Sequence, residues 1–302
     1  MTKQEILAAA MRQSAIDCCC AEEDFRRDTH IVVENKASEQ TSKFLVSPNA
    51  CRMISYGTNI VASCRQELIP EIEAFINRRE KFYRCFEPLA IYELNHILQK
   101  AGEQIAWMHS YYLPDPDAVF SADLTCPYET KVMHPEDFTD LYGQGWDNAL
   151  SRIERKELDM LGVGAYDGNR LIGLAACSAD CVEMWQIGID VLPEYRRKGV
   201  ASTLTNRLAR EIFECGKIPF YAAAWSNIRS IRNGFKSGFR PAWAAMEAEE
   251  IEMKNSKQPL PGLPEGAAFL TVLFRRPWLR PCSGNRRESS HPCRRRRRAR
   301  AR

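Results

Sequence analysis

One stretch constrains this chain more than any other: Trp185–Ala201, WQIGIDVLPEYRRKGVA. A strand pattern ends at Pro193, three consecutive cations follow at Arg196, Arg197 and Lys198, and Gly199 opens a run of helical periodicity. The first turn of a helix leaves backbone N–H groups unpaired, and the helix dipole adds roughly half a positive charge there. A glycine lets an anion approach the backbone closely, and neighbouring cations add attraction. Arg196–Ala201 is therefore read as a cradle for a pyrophosphate.

The segments around this turn alternate between strand and helix patterns. Asp159–Tyr166 and Arg170–Ser178 read as strands joined by the tight turn Asp167-Gly168-Asn169, and Glu183–Val191 as a third strand. Val200–Cys215 places Ala201, Leu204, Leu208 and Ile212 on one helical face, and Ile218–Trp225 is the nearly continuous apolar run of a strand buried in a parallel sheet. Asn227–Ser237 is predicted as a helix and Arg240–Glu247 as a last strand. Upstream, Ile54–Ser63 has strand composition with a bend or turn at Gly57. Glu67–Arg78 and Tyr92–Lys100 are predicted as helices, and Ile105–Leu113 as a strand ended by Pro114-Asp115-Pro116. The second module is expected to begin near Met133, with a helix start at His134-Pro135-Glu136-Asp137. QKAGEQIAW (99–107) echoes FKSGFRPAW (235–243), with Gly102 and Gly238, and Trp107 and Trp243, in register. That echo makes the N-terminal part readable as a diverged copy of the later half.

Charge separates the chain into an acidic body and a basic end. Twelve Arg and one Glu fall in 275–302, leaving 30 basic and 38 acidic residues in 1–274, a net of −8. An acidic body argues against nucleic acid as the main partner and favours cationic, amine-bearing substrates. Only the Arg-rich end, with Arg294–Arg298, offers a nucleic-acid or anionic surface contact. No apolar run reaches the roughly 18 residues of a membrane span, and the N-terminus lacks the apolar core of a secretion signal. The expected location is cytoplasmic, with no membrane partner. The twelve Cys form no C-x-x-C pair, so reduced thiols packing as small hydrophobes are expected, with no metal site.

Arg196-x-x-Gly199-x-Ala201 resembles the [Q/R]-x-x-G-x-[G/A] acyl-CoA motif of the GNAT superfamily of N-acetyltransferases, and Leu192–Gly199 is similar to that family's strand-to-loop wording. Helix, buried strand, Asn227, helix and Gly238-Phe239 follow in the family's order, over about 131–250. The resemblance implies an α/β fold with a mixed sheet, in which the strands at Glu183–Val191 and Ile218–Trp225 splay apart. The expected organisation is an N-terminal α/β module (1–125), a GNAT domain (131–250), and a linker with an Arg-rich tail (251–302). The N-terminal module is read as a smaller unit, or a degenerate GNAT-like half.

The resemblance also implies roles. Acetyl-CoA is the expected co-substrate, held by Arg196, Arg197, Lys198, Gly199, Val200 and Ala201 at its pyrophosphate. Backbone at Ile189 and Val191 is expected at the pantetheine and thioester, with Asn227 and Ser230, and more loosely Asn233 and Phe235, nearby. Glu183, which shares strand parity with Trp185, Ile187 and Ile189, is the candidate base, ahead of Asp190 and Asp180. Many members carry a proton-donating Tyr seven residues after the Asn; that position here is Gly234. Trp146, Trp185 and Tyr166 are read as core or as an aromatic wall for the amine, and Cys177 and Cys181 as packing rather than nucleophiles. The implied activity is direct acetyl transfer to a small-molecule or peptide amine in a ternary complex, with the N-terminal module expected to cover or shape the acceptor site or to make a homodimer contact. The alternatives are a non-catalytic acyl-CoA sensor and a nucleic-acid binder acting through the tail.

Overall fold

Apolar strand segments interleaved with amphipathic helices give a mixed α/β architecture. The computed structural model describes residues 1–45, 47 and 50–251. The expected tail, and nearly all of the linker, lie outside the described residues. The described strands are β1 (Ile31–Glu34), β2 (Arg52–Ser55), β3 (Val61–Cys64), β4 (Glu103–Pro114), β5 (Glu129–Met133), β6 (Asp159–Asp167), β7 (Arg170–Ser178), β8 (Met184–Val191), β9 (Ile218–Ala224) and β10 (Phe239–Glu250). They form one sheet in the order β1-β3-β2-β10-β4-β9-β8-β7-β6-β5, with β1/β3 and β8/β9 the parallel pairs among them. The helices are α1 (Lys3–Cys18), α2 (Ile69–Asn77), α3 (Pro88–Leu98), α4 (Pro116–Ser121), α5 (Val200–Glu214) and α6 (Ile228–Lys236).

Strand parity sorts the core into two faces. On one, α5 lays Val200, Leu204, Leu208 and Ile212 onto Val163, Ala175, Ile187 and Tyr221. Beside it, Ile72 and Phe75 of α2 and Leu94 and Leu98 of α3 cover Met246 and Ala248. On the other face, Ile6, Ala9 and Ala10 of α1 share a core with Tyr111, Leu113, Phe220 and Ala245. The largely irregular segment 134–158 brings Phe138, Trp146, Ala149 and Leu150 onto Leu174 and Ala176 there.

Several expectations change. Ile54–Ser63 is the turn-containing half of a hairpin, β2 to β3, because Gly57 adopts φ +102° between them. The Pro114-Asp115-Pro116 stop is also a start: Asp115 accepts from the Ala118 N–H and caps α4, with Pro116 at its first position. The helix expected at His134 lasts only for the 3-10 turn Pro135–Phe138, and β5 precedes it.

The least anticipated feature is the place of β4. It runs antiparallel to β10 from Glu103↔Glu250 to Pro114↔Phe239 and antiparallel to β9 from His109↔Ala224 to Tyr112↔Tyr221. A strand from the first half of the chain thus sits between two strands of the second. The echoing glycines open these neighbouring strands, with φ +72° at Gly102 and +98° at Gly238. Gly238 is doubly constrained, since a Cβ there would lie 2.8 Å from the Val119 nitrogen on α4. Gly238→Ala should cost about 2–4 kcal/mol from left-handed backbone plus overpacking. Gly168→Ala, at φ +59° with open space around it, should cost only about 1 kcal/mol. Equal shifts in a denaturant melt would refute the α4 contact as a constraint.

Candidate functional site

The parallel pair at the centre of the sheet separates partway along. β8 and β9 pair at Met184↔Ile218, Trp185↔Pro219, Gln186↔Phe220 and Ile187↔Tyr221. Beyond that rung β8 follows β7, as far as Val191↔Gly173, while β9 follows β4, with Ala222–Ala224 on Tyr111–His109. The Leu192 N–H donates to the Ile172 carbonyl, and antiparallel ladders alternate bonded and open pairs. Even-numbered residues of β8 therefore bond to β7, and the N–H and C=O of Ile189 and Val191 point into the opening. The Val191 carbonyl is taken by the Arg196 Nε at 2.9 Å.

At the end of β8 the chain turns tightly. Arg197 has φ +64° and Gly199 +84°, and exposed Arg196, Arg197 and Lys198 lead to half-buried Gly199 and buried Val200. Among the described residues no acceptor serves the N–H groups of Arg197 through Ser202, so this turn and the first turn of α5 present a run of open donors. Lys198 is framed by aromatics: its Nζ donates to Tyr128 Oη at 3.1 Å and lies 5.0 Å from the Tyr195 ring centre. Tyr195 in turn donates to Asp167. Gly199 answers to the protein as well as to any anion, since a Cβ there would meet the Thr125 carbonyl at 2.9 Å.

Across the opening, Asn227 caps α6 by accepting from the Ser230 N–H at 3.2 Å, and its side chain is exposed. Ser230 Oγ lies 2.7 Å from Tyr221 Oη. The Tyr221 ring sits against Gly234, where a Cβ would be 3.2 Å from Cδ1. Asn233 donates to Thr205 Oγ1. Phe235 stacks edge-on with Tyr112 at 5.8 Å.

On the opposite face the opening is flanked unevenly. Beside β8, segment 146–150 lies against the strand, so close that a Cβ on Gly188 would be 1.8 Å from the Asn148 carbonyl. Asp190 holds that segment by accepting from the N–H groups of Asn148 (2.7 Å) and Ala149 (3.0 Å) and from the Asn148 amide. Burial pushes its carboxyl above the ordinary range, against these hydrogen bonds. Beside β9 the surface is low, floored by Ala222, Ala224 and Ala245, with half-buried His109 between Ala224 and Ala245. The His109 ring lies 6.0 Å from Trp107 and 6.2 Å from Tyr111. Burial lowers its pKa from the ordinary histidine value.

Glu183 is not brought to this opening. It precedes the first residue of β8 at the paired end, where its carbonyl accepts from Ile218 N–H and its exposed carboxylate pairs with Arg12 at 2.9 Å. Six residues separate it from Ile189, or about 20 Å along a strand. The parity argument grouped it with Trp185 and Ile187, which pack under α5 on the face opposite His109, and it could not tell at which end the strands part. Asp180 is likewise held away, paired with Arg155 and Ser178. The three aromatics do not form a wall: Trp146 and Trp185 sit in different cores, and Tyr166 donates to the Met133 sulfur. Cys177 and Cys181 are buried free thiols, pushed up by desolvation. His109 was missed because only its position between two alanine-lined neighbours distinguishes it, and that follows from the placement of β4.

The match to known proteins falls on this part of the chain. Residues 122–239 match the model of the Acetyltransferase (GNAT) family. No curated protein matches the chain. Among solved structures, a GCN5-related N-acetyltransferase-like protein from Streptococcus suis aligns at 17% identity and TM-score 0.39, over 52% of this chain and 68% of its own. An acetyltransferase from the GNAT family of Colwellia psychrerythraea aligns at 15% identity and TM-score 0.37, over 52% of this chain and 61% of its own. yncA of Salmonella typhimurium, solved with its cofactor acetyl-CoA, aligns at 14% identity and TM-score 0.30, over 43% of this chain and 99% of its own. The aligned stretch thus spans less than two thirds of the Colwellia protein. Residues 122–239 are a GNAT acetyltransferase domain.

Proposed function

We propose that the protein is an acetyl-CoA-dependent N-acetyltransferase acting on an amine in a ternary complex. The observation that carries this reading is the parting of β8 from β9 beyond Ile187↔Tyr221, with the open N–H groups of Arg197–Ser202 at the end of the strand that leaves. The residues present fit the co-substrate. Exposed cations and a run of unpaired backbone donors suit a diphosphate, and the open amides of Ile189 and Val191 suit a pantetheine chain and a thioester carbonyl. Acetyl-CoA would supply the activated acyl group.

The chain's own contribution is to bind, orient and move protons. Arg197, Lys198, Gly199, Val200 and Ala201 hold the anion, while Arg196 fixes the end of β8 through Val191. The Ile189 N–H stands where a donor could polarise the acyl carbonyl, an arrangement typically worth roughly 3 kcal/mol. Asn227 and Ser230 border the same opening from α6. In place of Glu183, His109 is the better candidate base. It lies level with Ala224 beside the opening, and its lowered pKa leaves the imidazole neutral and able to accept a proton near pH 7. The acceptor would enter on the His109 face, over the low alanine floor.

Acetyl-CoA should raise the melting temperature of the full chain, and Gly199→Glu, which adds both a side chain and a negative charge to the cradle, should abolish that rise. No stabilisation of the wild type would remove the co-substrate assignment, and equal stabilisation of the variant would misplace the cradle. His109→Gln should lower kcat/KM about 100-fold. Because the imidazole serves as a base only when deprotonated, wild-type kcat/KM should fall only below the ordinary histidine range, and that acidic limb should vanish in His109→Gln. A limb that persists in the variant would exclude His109. Binding of acetyl-CoA without CoA release across a panel of amines would favour the sensor reading.

A further inference from the structure

We propose that Tyr221 and Ser230 form a two-hydroxyl proton donor for the departing thiolate, replacing a tyrosine on α6 with one reaching in from β9. The inference rests on the acetyltransferase reading above.

Tyr221 stands on the last rung that joins β8 and β9, so its side chain leaves the sheet where the strands begin to part. It is 2% exposed, and its Oη lies 2.7 Å from the Oγ of half-exposed Ser230, in the first turn of α6. A buried phenol is thus connected to the border of the opening through one hydroxyl. The ring also accounts for Gly234. A Cβ there would already lie 3.2 Å from the Tyr221 ring, so a bulky side chain on α6 and the Tyr221 ring compete for the same space.

The neighbours of Tyr221 keep it protonated. Tyr112 is the titratable group facing it from β4, at 6.4 Å between ring centres, and Phe239 packs on it from β10 at 5.9 Å. From α6 it meets Ser230 and Asn233. Desolvation raises its pKa, outweighing these two hydrogen-bonding groups. The proton is therefore held through the neutral range until a stronger acceptor appears beside Ser230. As the amine nitrogen forms its bond to the acyl carbon, the carbon–sulfur bond breaks with its electron pair on sulfur. Ser230 Oγ passes its proton to that sulfur and takes the proton of Tyr221 Oη; water returns the proton to Tyr221 once product leaves. His109, on the other face, removes the proton lost by the amine, so acid and base act from opposite sides of the sheet.

The test compares CoA with desulfo-CoA, which lacks the sulfur, by isothermal titration of the full chain at pH 7 and 9. Wild type should bind CoA about tenfold tighter than desulfo-CoA, increasingly so at pH 9 where the bound thiol ionises, because a hydroxyl donor stabilises a thiolate. Tyr221→Phe and Ser230→Ala should each bring that ratio towards one, whatever either change does to desulfo-CoA binding itself. In turnover, Tyr221→Phe should lower kcat 10- to 100-fold with KM little changed. Tyr221→Ala combined with Gly234→Tyr should recover part of the loss. If Tyr221→Phe and Ser230→Ala both keep the wild-type ratio and kcat, the hydroxyl pair is overturned and the acetyltransferase reading stands. If wild type binds neither compound, both readings fall.

Discussion

The site depends on leaving backbone amides unpaired in the middle of a sheet. Buried N–H and C=O groups are nearly always satisfied, so two parallel strands that begin to zip together should continue. β8 and β9 pair no further than Ile187↔Tyr221, and beyond that rung each follows its other neighbour. β7 holds β8 through Val191, and β4 holds β9 through Ala224. Arg196 consumes one of the freed carbonyls, and Asp190 pins segment 146–150 beside the strand. The opening is thus a divergence of two strands that each stay paired on their outer edge, and its remaining open amides are what a bound acyl chain would satisfy.

That divergence gives the first half of the chain a direct part in framing the opening. β4 pairs with β9 beyond the point where β8 leaves it, carries His109 on one face, and places Tyr112 against Tyr221 on the other. The acidic character read from composition has a local counterpart. Glu247 and Glu249 lie on the face that carries His109 and are bonded to Tyr111 and Trp107 respectively. Burial pushes the Glu247 carboxyl up while the charge of Arg52 opposes that shift.

Legibility in the sequence followed the range of the interactions involved. The turn at Arg196–Ala201, the hairpin at Asp167-Gly168-Asn169 and the helices on either side of β9 are set by neighbours in the chain, and they stand within a residue or two of where they were read. The Asn227 cap is of the same kind. What could not be read depends on distant partners. Glu183 and Ile189 share strand parity in the sequence, yet only the pairing of β9 decides which lies at the opening. Gly234 looks like a missing tyrosine until Tyr221 is seen against it. His109 sits in an ordinary strand pattern, and nothing local says that the strand will be inserted more than 100 positions downstream, between Ile218–Ala224 and Phe239–Glu250. The short repeat around Gly102 and Gly238 was the one hint, since both glycines open strands that became neighbours.

The insertion of β4 also sets the order in which the chain can be completed as it leaves the ribosome. Its last residue is made well before the 218–224 and 239–250 strands that flank it. At ordinary rates of synthesis that interval is on the order of 10 s. Throughout it, a twelve-residue strand with Trp107, Tyr111 and Tyr112 has neither lateral partner, the condition in which exposed edges invite pairing with other chains. The central strand β4 is therefore an open edge of the nascent polypeptide until residue 250 has emerged, and rapid pairing from that moment would shorten the exposure.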